Sequence, residues 1–423
     1  MVRVQEGELA IPTFSVGKPI GQVIFKITRP FLFLIFDILI PTIMKKILYI
    51  ILMLFGFPLL AQTYPGILIP INGGTFIMGN NSFSPNSSDQ GPEHEVTISD
   101  FSIAETEVTN QYFITFLNQM NSQGKLSVTE GVPGDWSSDS IDIANGTSWN
   151  IIANTDNGNV WDQQVLIELS SIAGGGQNPL NRCWIEWDSI NNIYSVVEGY
   201  ENWPAAWVSW YGAMMYCDYY KVSLPTEAEW EYAGKGGEDL QYATDNGSLT
   251  TNQANYGSGF GGPSGLTYLT PVATLFLPNP YGLYNMVGNV SEWCLDWYST
   301  TFYQVCADSN LILNPINNWL IDSGELRVLR GGNHTYPGIF ATNTHRFDTP
   351  PFVTTDHMGF RVVQRSISIG LDVAYIEDQH NVERQLLKVV NILGQEINPN
   401  SISYGTILFY LYNDGTVEKI IVK

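Results

Sequence analysis

Residues 281–298, YGLYNMVGNVSEWCLDWY, constrain this chain more than any other stretch. Gly282 and Gly288 allow backbone turns that a Cβ would resist. Tyr281, Leu283, Tyr284, Met286, Trp293, Leu295, Trp297 and Tyr298 make the same run strongly apolar, so a tight turn feeds a core strand. Its polar groups are few: Asn285, the Gly288 and Val290 carbonyls, and Glu292. A chain curling at Gly288 can aim an amide oxygen, two backbone oxygens and a carboxylate at one point. That is a partial cage for Ca²⁺, which takes hard oxygen ligands. A plain turn accounts for the same pattern without a metal.

The 423 residues leave room for one large or two medium domains, and 44% hydrophobic with 14% charged residues is a globular composition. A net charge of −22 repels phosphate backbones and anionic membrane surfaces, which argues against nucleic acid as a partner. Met44 opens MKKILYIILMLFGFPLLAQ, with the basic head, apolar middle and small-residue end of a secretory signal peptide cleaved near Ala61. Residues 1–43 lie upstream and carry a second apolar patch, 31–40. Asp37, Pro41, Lys45 and Lys46 break any span of the ~20 apolar residues a membrane helix needs, so no stable span is expected after cleavage. Cys183, Cys217, Cys294 and Cys306 permit two disulfides in an exported chain, in three pairings that spacing leaves open.

Along the chain, ILIPINGGTFIMGN (67–80) predicts two short strands turned at Asn72–Gly74, and 94–110 is again strand-like. Thr109 caps a helix with Phe113, Phe116, Leu117 and Met120 on one face. Residues 121–200 form an irregular excursion with scattered Trp, a surface that could bind sugar or peptide or could simply pin loops. Ser209 caps a helix facing inward through Ala213, Met214 and Cys217. Thr226 and Glu229 make a capping box, with Gly236 or Gly237 ending the helix. Capping and solvation account for Glu227, Glu229 and Glu231. Strands follow at 326–333 and 357–365, and hairpin signals fill the segment beyond residue 366.

Six ordered blocks between residues 67 and 364 resemble the formylglycine-generating enzyme (sulfatase-modifying factor) family: GGTFIMG, FSIAETEVTNQYF, WPAAWVSWYGAMMYCDYYKVSLPTEAEWEYA, PYGLYNMVGNVSEW, RVLRGGN and GFRVV. The resemblance implies an irregular α+β, C-type-lectin-like fold over 63–366, low in regular secondary structure. Residues 1–62 would be the upstream extension and leader. Residues 367–423 resemble a type A sorting domain of the type IX secretion system, through Lys388–Gln395, Gly405–Leu411 and Lys419–Val422. That implies the type IX secretion machinery as a partner, and a secreted or cell-surface location.

The resemblance also implies two calcium sites. Asn285, Gly288, Val290 and Glu292 match all four positions of one. Asn255 and Tyr256 match the other, where Ser264 lies nearest the expected Asp. The family's oxidase chemistry needs two cysteines that bind copper as thiolates after the double glycine. Tyr336 and Ala341 stand at those positions, Asn333 replaces the adjoining serine, and Val362 stands where a partner for Cys217 is usual. Copper oxidation is therefore not expected, and no catalytic residue is assigned. A non-haem iron centre would have to draw on His334, His345 and His357 with Asp348 and Asp356, and a copper thiolate site could recruit Cys306 only by a fold-back of the chain. The reading is a calcium-stabilised module binding a peptide, glycan or envelope protein. The alternatives are an oxidase or iron enzyme with non-standard ligands, and a structural component of the cell surface or secretion apparatus.

Overall fold

In the computed structural model the chain divides into two units, residues 1–64 and 65–423. The structure describes residues 62–82, 88–131, 148–155, 158–171, 179–257, 268–309, 313–317, 325–365 and the strand backbone at 386–391, 407–412 and 417–421. The leader therefore lies outside the described residues. Among those described, no helix is long and apolar enough to cross a membrane.

The second unit begins with strands β1 (Leu68–Ile71), β2 (Gly74–Met78), β3 (His94–Ile98) and β4 (Phe101–Ala104). The first two do not form a hairpin. β1 pairs antiparallel with β4, while β2 pairs with β3, so the turn at Asn72–Gly73 sends the chain from one sheet to another. Helix α1 (Asn110–Ser122) follows, its cap Thr109 accepting from the Tyr112 amide at 3.3 Å and its Phe113, Phe116, Leu117 and Met120 face buried as expected. The excursion holds β5 (Leu126–Glu130), β6 (Trp149–Ala153) and β7 (Val165–Glu168) in one antiparallel sheet, and β8 (Ile185–Asp188) with β9 (Ile193–Val196) in another. Helix α2 (Trp210–Tyr220) turns Ala213, Met215, Tyr216 and Cys217 inward, whereas Met214 is only partly buried. Helix α3 (Glu227–Gly234) has the predicted capping box, and Gly236 and Gly237 adopt positive φ just past its end.

The central sheet is built from β10 (Ser291–Trp297), β11 (Arg327–Arg330), β12 (Phe347–Thr349) and β13 (Met358–Gly359), ordered β12-β11-β10-β13, with helix α4 (Phe302–Ser309) between the first two. The expected last strand over 357–365 is in fact two. β13 runs parallel to β10, then the chain crosses to β14 (Val363–Arg365), which pairs with β4. Farther on, β15 (Leu386–Asn391), β16 (Ile407–Tyr412) and β17 (Val417–Ile421) form an antiparallel sheet, matching the hairpin signals. The fold is α+β.

Charged groups, not only apolar ones, fill the interior. The three glutamates of α3 are buried, at 2%, 5% and 0% exposure, so solvation does not account for them. Glu227 accepts from Arg346 Nε and Nη2 at 2.7 and 2.9 Å and from Arg330 at 3.2 Å. Glu229 closes the capping box and takes both arms of Arg365, and Glu231 takes Arg330 at 2.6 Å. Burial alone would raise Glu227's pKa; Arg346 and Arg330 more than offset it and hold the carboxyl below its usual range. Arg327 lies between the rings of Trp210 and Trp297, at 3.7 and 3.5 Å. The four cysteines are buried free thiols, so the two disulfides allowed by their even count do not form. Two histidines sit in the same interior. Burial pushes both His334 and His345 down to about 4, in His345 with the charge of Arg330 adding to the effect.

Glu227→Gln strips the carboxylate from two buried guanidiniums, and urea unfolding is expected to show a loss of about 3–5 kcal/mol. His345 contributes a pH dependence whose sign follows from its depressed pKa. The unfolded imidazole takes a proton below its ordinary value of 6.5, and the folded one resists it down to about 4, so stability falls as pH drops through that window. Measured by urea titration, the stability difference between wild type and His345→Gln should move against wild type by roughly 1–2 kcal/mol between pH 7.5 and 5.

Candidate functional site

The 281–298 stretch folds as a turn that delivers β10 to the centre of the main sheet. Gly288 has φ +74°, and a Cβ there would lie 2.0 Å from the Asn255 carbonyl oxygen. Backbone thus passes directly against backbone, joined by the Asn289 amide donating to that carbonyl at 2.8 Å. Both asparagines of the turn, Asn285 and Asn289, also adopt positive φ. The two segments that carry the expected calcium residues are therefore neighbours, a proximity the sequence could not give.

Glu292, at 1% exposure, is engaged on both oxygens. Arg361 donates to Oε1 and Oε2 at 2.7 Å each, and Trp230 Nε1 donates to Oε2 at 2.8 Å. Asn285 turns its Nδ2 to Glu107 Oε2 at 3.2 Å, and Asn289 Nδ2 donates to Glu107 Oε1 at 2.8 Å. Glu107 is wholly buried. Burial, opposed by Arg361 and reinforced by Glu292, pushes its carboxyl up to about 7. Asn255 leaves its buried Oδ1 without a hydrogen-bond partner, while Tyr256 is buried beside it and Ser264 lies outside the described residues. Asn285, Gly288, Val290 and Glu292 carry oxygens of the hard donor class that Ca²⁺ takes, although both Glu292 oxygens are here engaged by Arg361 and Trp230. Glu107, Asn289 and Arg361 went unassigned in the sequence reading. They lie in the EVTN, GNV and GFR blocks, where their recurrence within named motifs was the available signal.

The positions of the family's thiolates lie in a different setting. Gly331 and Gly332 turn the chain out of β11 with φ +90° and +66°, and a Cβ on Gly332 would meet that of Ala341 at 3.0 Å. Asn333 then organises the loop: its Oδ1 accepts from the Thr335 and Tyr336 amides at 3.0 and 3.2 Å, and its Nδ2 donates to Ser291 Oγ at 3.1 Å. Tyr336 is half-buried and stacks on Phe347 with centroids 5.2 Å apart. Phe340 contacts both rings, and His357 stands edge-on to Tyr336 at 6.1 Å. Ala341 is buried.

The thiols are elsewhere. Cys294 and Cys306 sit near Glu227 and Asp296, Cys217 near Arg365, and Cys183 near Arg182. Burial raises all four, Cys183 and Cys306 to about 12, so none offers a thiolate near neutral pH.

His334 lies within electrostatic reach of Asp356 and His357, but the candidate iron ligands are each engaged in other contacts. His345 Nδ1 meets Gln90 at 3.0 Å and its ring packs on Phe340 and Phe347. His334 is held by Asn181 and the Asn289 carbonyl at 3.2 and 3.3 Å. His357 Nδ1 pairs with Asp356 at 2.7 Å, which sets its tautomer. Asp348 is exposed and lies near Asp89 and Arg346. Among the described residues no group of three or more His, Cys, Asp or Glu side chains is arranged to hold a metal ion, so the proposed two-imidazole, one-carboxylate set is not assembled.

Comparison with known proteins places this geometry. Residues 60–366 match the sulfatase-modifying factor enzyme 1-like domain. The formylglycine-generating enzyme of Streptomyces coelicolor is 29% identical over 311 residues, covering 69% of this chain and 87% of that one. An inactive Cα-formylglycine-generating enzyme 2 from Bos taurus is 28% identical over 300 residues, covering 70% and 86%. A stretch of 164 residues is 37% identical to the serine/threonine-protein kinase pkn1 of Chlamydia pneumoniae, and the match spans only 24% of that kinase's length. Among solved structures, PvdO from Pseudomonas aeruginosa aligns over 71% of this chain and 94% of its own, with 21% identity and a TM-score of 0.47. Residues 60–366 make this chain a member of the sulfatase-modifying factor enzyme 1-like family.

Proposed function

We propose that this chain is an exported, non-catalytic member of its family, a calcium-stabilised module that binds a peptide, glycan or envelope protein. The observation that carries the reading is the chemistry at the thiolate positions. Tyr336 is locked into a ring cluster with Phe340, Phe347 and His357, Ala341 is buried against Gly332, and the four thiols lie elsewhere in protonated form. A soft thiolate site for copper needs two deprotonated sulfurs at one point. A partly exposed aromatic cluster is instead a surface that ligands stack on. The relative named as an inactive formylglycine-generating enzyme is a precedent for this scaffold without its oxidase chemistry.

Export is supported by the leader signature at Met44–Ala61 and by the sorting-domain resemblance of 367–423, which makes the type IX machinery a partner in transit. Calcium would be held by Asn285, Gly288, Val290 and Glu292, with Asn255 and Tyr256 at the neighbouring position. There it would supply a fixed divalent charge that ties the turn together.

The test is turnover of a peptide carrying the sulfatase Cys-x-Pro-x-Arg motif, with copper added, read as aldehyde formation by mass spectrometry. The expected result is no aldehyde and no copper retained stoichiometrically after gel filtration. Aldehyde formed by wild type and abolished by Cys306→Ala would overturn the reading.

A further inference from the structure

Sequence alone gives the aromatic residues of the excursion two roles, pinning loops or binding sugar or peptide. The structure divides the rings at its end, and just beyond it, between the two. Trp184 is buried with its indole N–H on the Leu180 carbonyl at 3.1 Å, and it pins the loop. Tyr200 lies face to face on it with centroids 3.4 Å apart, and Trp203 tilts against Tyr200 at 4.7 Å. Tyr268 lies within 19° of parallel to Trp203, at 6.2 Å. These last three rings are partly exposed. Among the described residues, the Trp203 indole N–H and the hydroxyls of Tyr200 and Tyr268 meet no protein partner, and none of the three is sealed from solvent. An aromatic side chain with an apolar body and a wet polar tip is suited to an interface.

Hydrogen bonds fix the row from behind. Asn110, at the start of α1, donates its Nδ2 to the Tyr200 carbonyl and its amide to the Trp203 carbonyl, both at 2.9 Å. Asn255 Nδ2 donates to the Tyr268 carbonyl, also at 2.9 Å. Rings held in this way lose little conformational entropy when a ligand settles on them.

Charge and backbone chemistry select the ligand class. Arg182, the cation packed on Trp184, is already paired with Glu186 at 2.8 Å. Glu198 and Glu201 flank Tyr200 in the chain. That fringe disfavours carboxylates and phosphates. An extended peptide would seek main-chain partners, yet the amides of Tyr200 and Trp203 already donate to Val197 and Tyr200, and both carbonyls are taken by Asn110. A pyranose ring needs neither. Its C–H face lies on an aromatic face, and its hydroxyls meet the free N–H and O–H groups.

We propose that Tyr200, Trp203 and Tyr268 form a platform for a neutral glycan, with sugar rings stacked on Trp203 and Tyr268. The proposal rests on the binding role above, names its ligand class and seats the ligand on residues other than the Tyr336 cluster.

The full chain is titrated by calorimetry and indole fluorescence with cellohexaose, chitohexaose and maltohexaose, and in parallel with hexagalacturonic acid and decaproline. At least one neutral hexaose should bind, with Trp203→Ala weakening it about tenfold or more and Tyr268→Phe, which loses only the hydroxyl, about threefold. Tighter binding of the acidic sugar, or binding of decaproline alone, overturns the inference. So does a loss in Phe340→Ala with none in Trp203→Ala, which would move the ligand to the Tyr336 cluster. Binding of no probe overturns this inference alone, because the non-catalytic reading falls only if aldehyde forms in the turnover assay. Should Trp203→Ala fail to fold, a wild-type crystal soaked with the bound hexaose decides. A sugar ring within about 4.5 Å of the Trp203 ring supports the platform, and a sugar seated elsewhere refutes it.

Discussion

Arg361 closes its fork on Glu292 while its other N–H groups reach the Ala104, Glu105 and Tyr284 carbonyls, at 3.0, 3.4 and 2.8 Å. One side chain thereby ties together the end of β4, the 281–298 turn and the crossing between β13 and β14, which are far apart in sequence. The site depends on that tie. It fixes where Glu292 points, and the turn that presents Asn285 and Asn289 is built on the same contacts. Arg330, Arg346 and Arg365 do the equivalent for helix α3, clamping its three glutamates from β11, the residue just before β12, and β14. In a chain with short strands and long connections, such pairs take on a joining role that continuous sheet has in more regular folds.

The arrangement separates scaffold from chemistry. The turn, the buried guanidiniums and the GG corner after β11 are all present, and each serves to hold backbone in unusual conformations. The places where sulfur would act carry a phenol and a methyl group instead. The phenol is not incidental filling, because Asn333 fixes its loop through three hydrogen bonds and Phe347 covers one face of the ring. A loop so well determined is suited to presenting a surface, as the proposed binding role requires.

Much of this was legible in the sequence because local rules wrote it there. The caps at Thr109, Ser209 and Thr226, the buried stripe of α1 and the turn at Gly288 all follow from residue type and spacing. Pairing was less legible. β1 and β2 read as a hairpin, yet each found a partner elsewhere, because a Gly-rich turn permits reversal without requiring it. The glutamates of α3 read as solvated, since nothing local reveals that arginines up to 136 residues away converge on them. The iron candidates misled for the same reason: three histidines within one segment say nothing of which way each ring faces.

The sequence by itself determined the family, the α+β class, the helix ends and the loss of cysteine from positions 336 and 341, since all of these reside in residue identity and near-neighbour order. Only the tertiary structure decided that Asn255 lies against Gly288, that Glu107 joins the same network, that His334, His345 and His357 assemble no metal-holding group among the described residues and that the four thiols are buried and free. Those outcomes depend on long-range contacts, where the desolvation of a charge or an amide is balanced by partners that only the folded chain brings within a few ångströms.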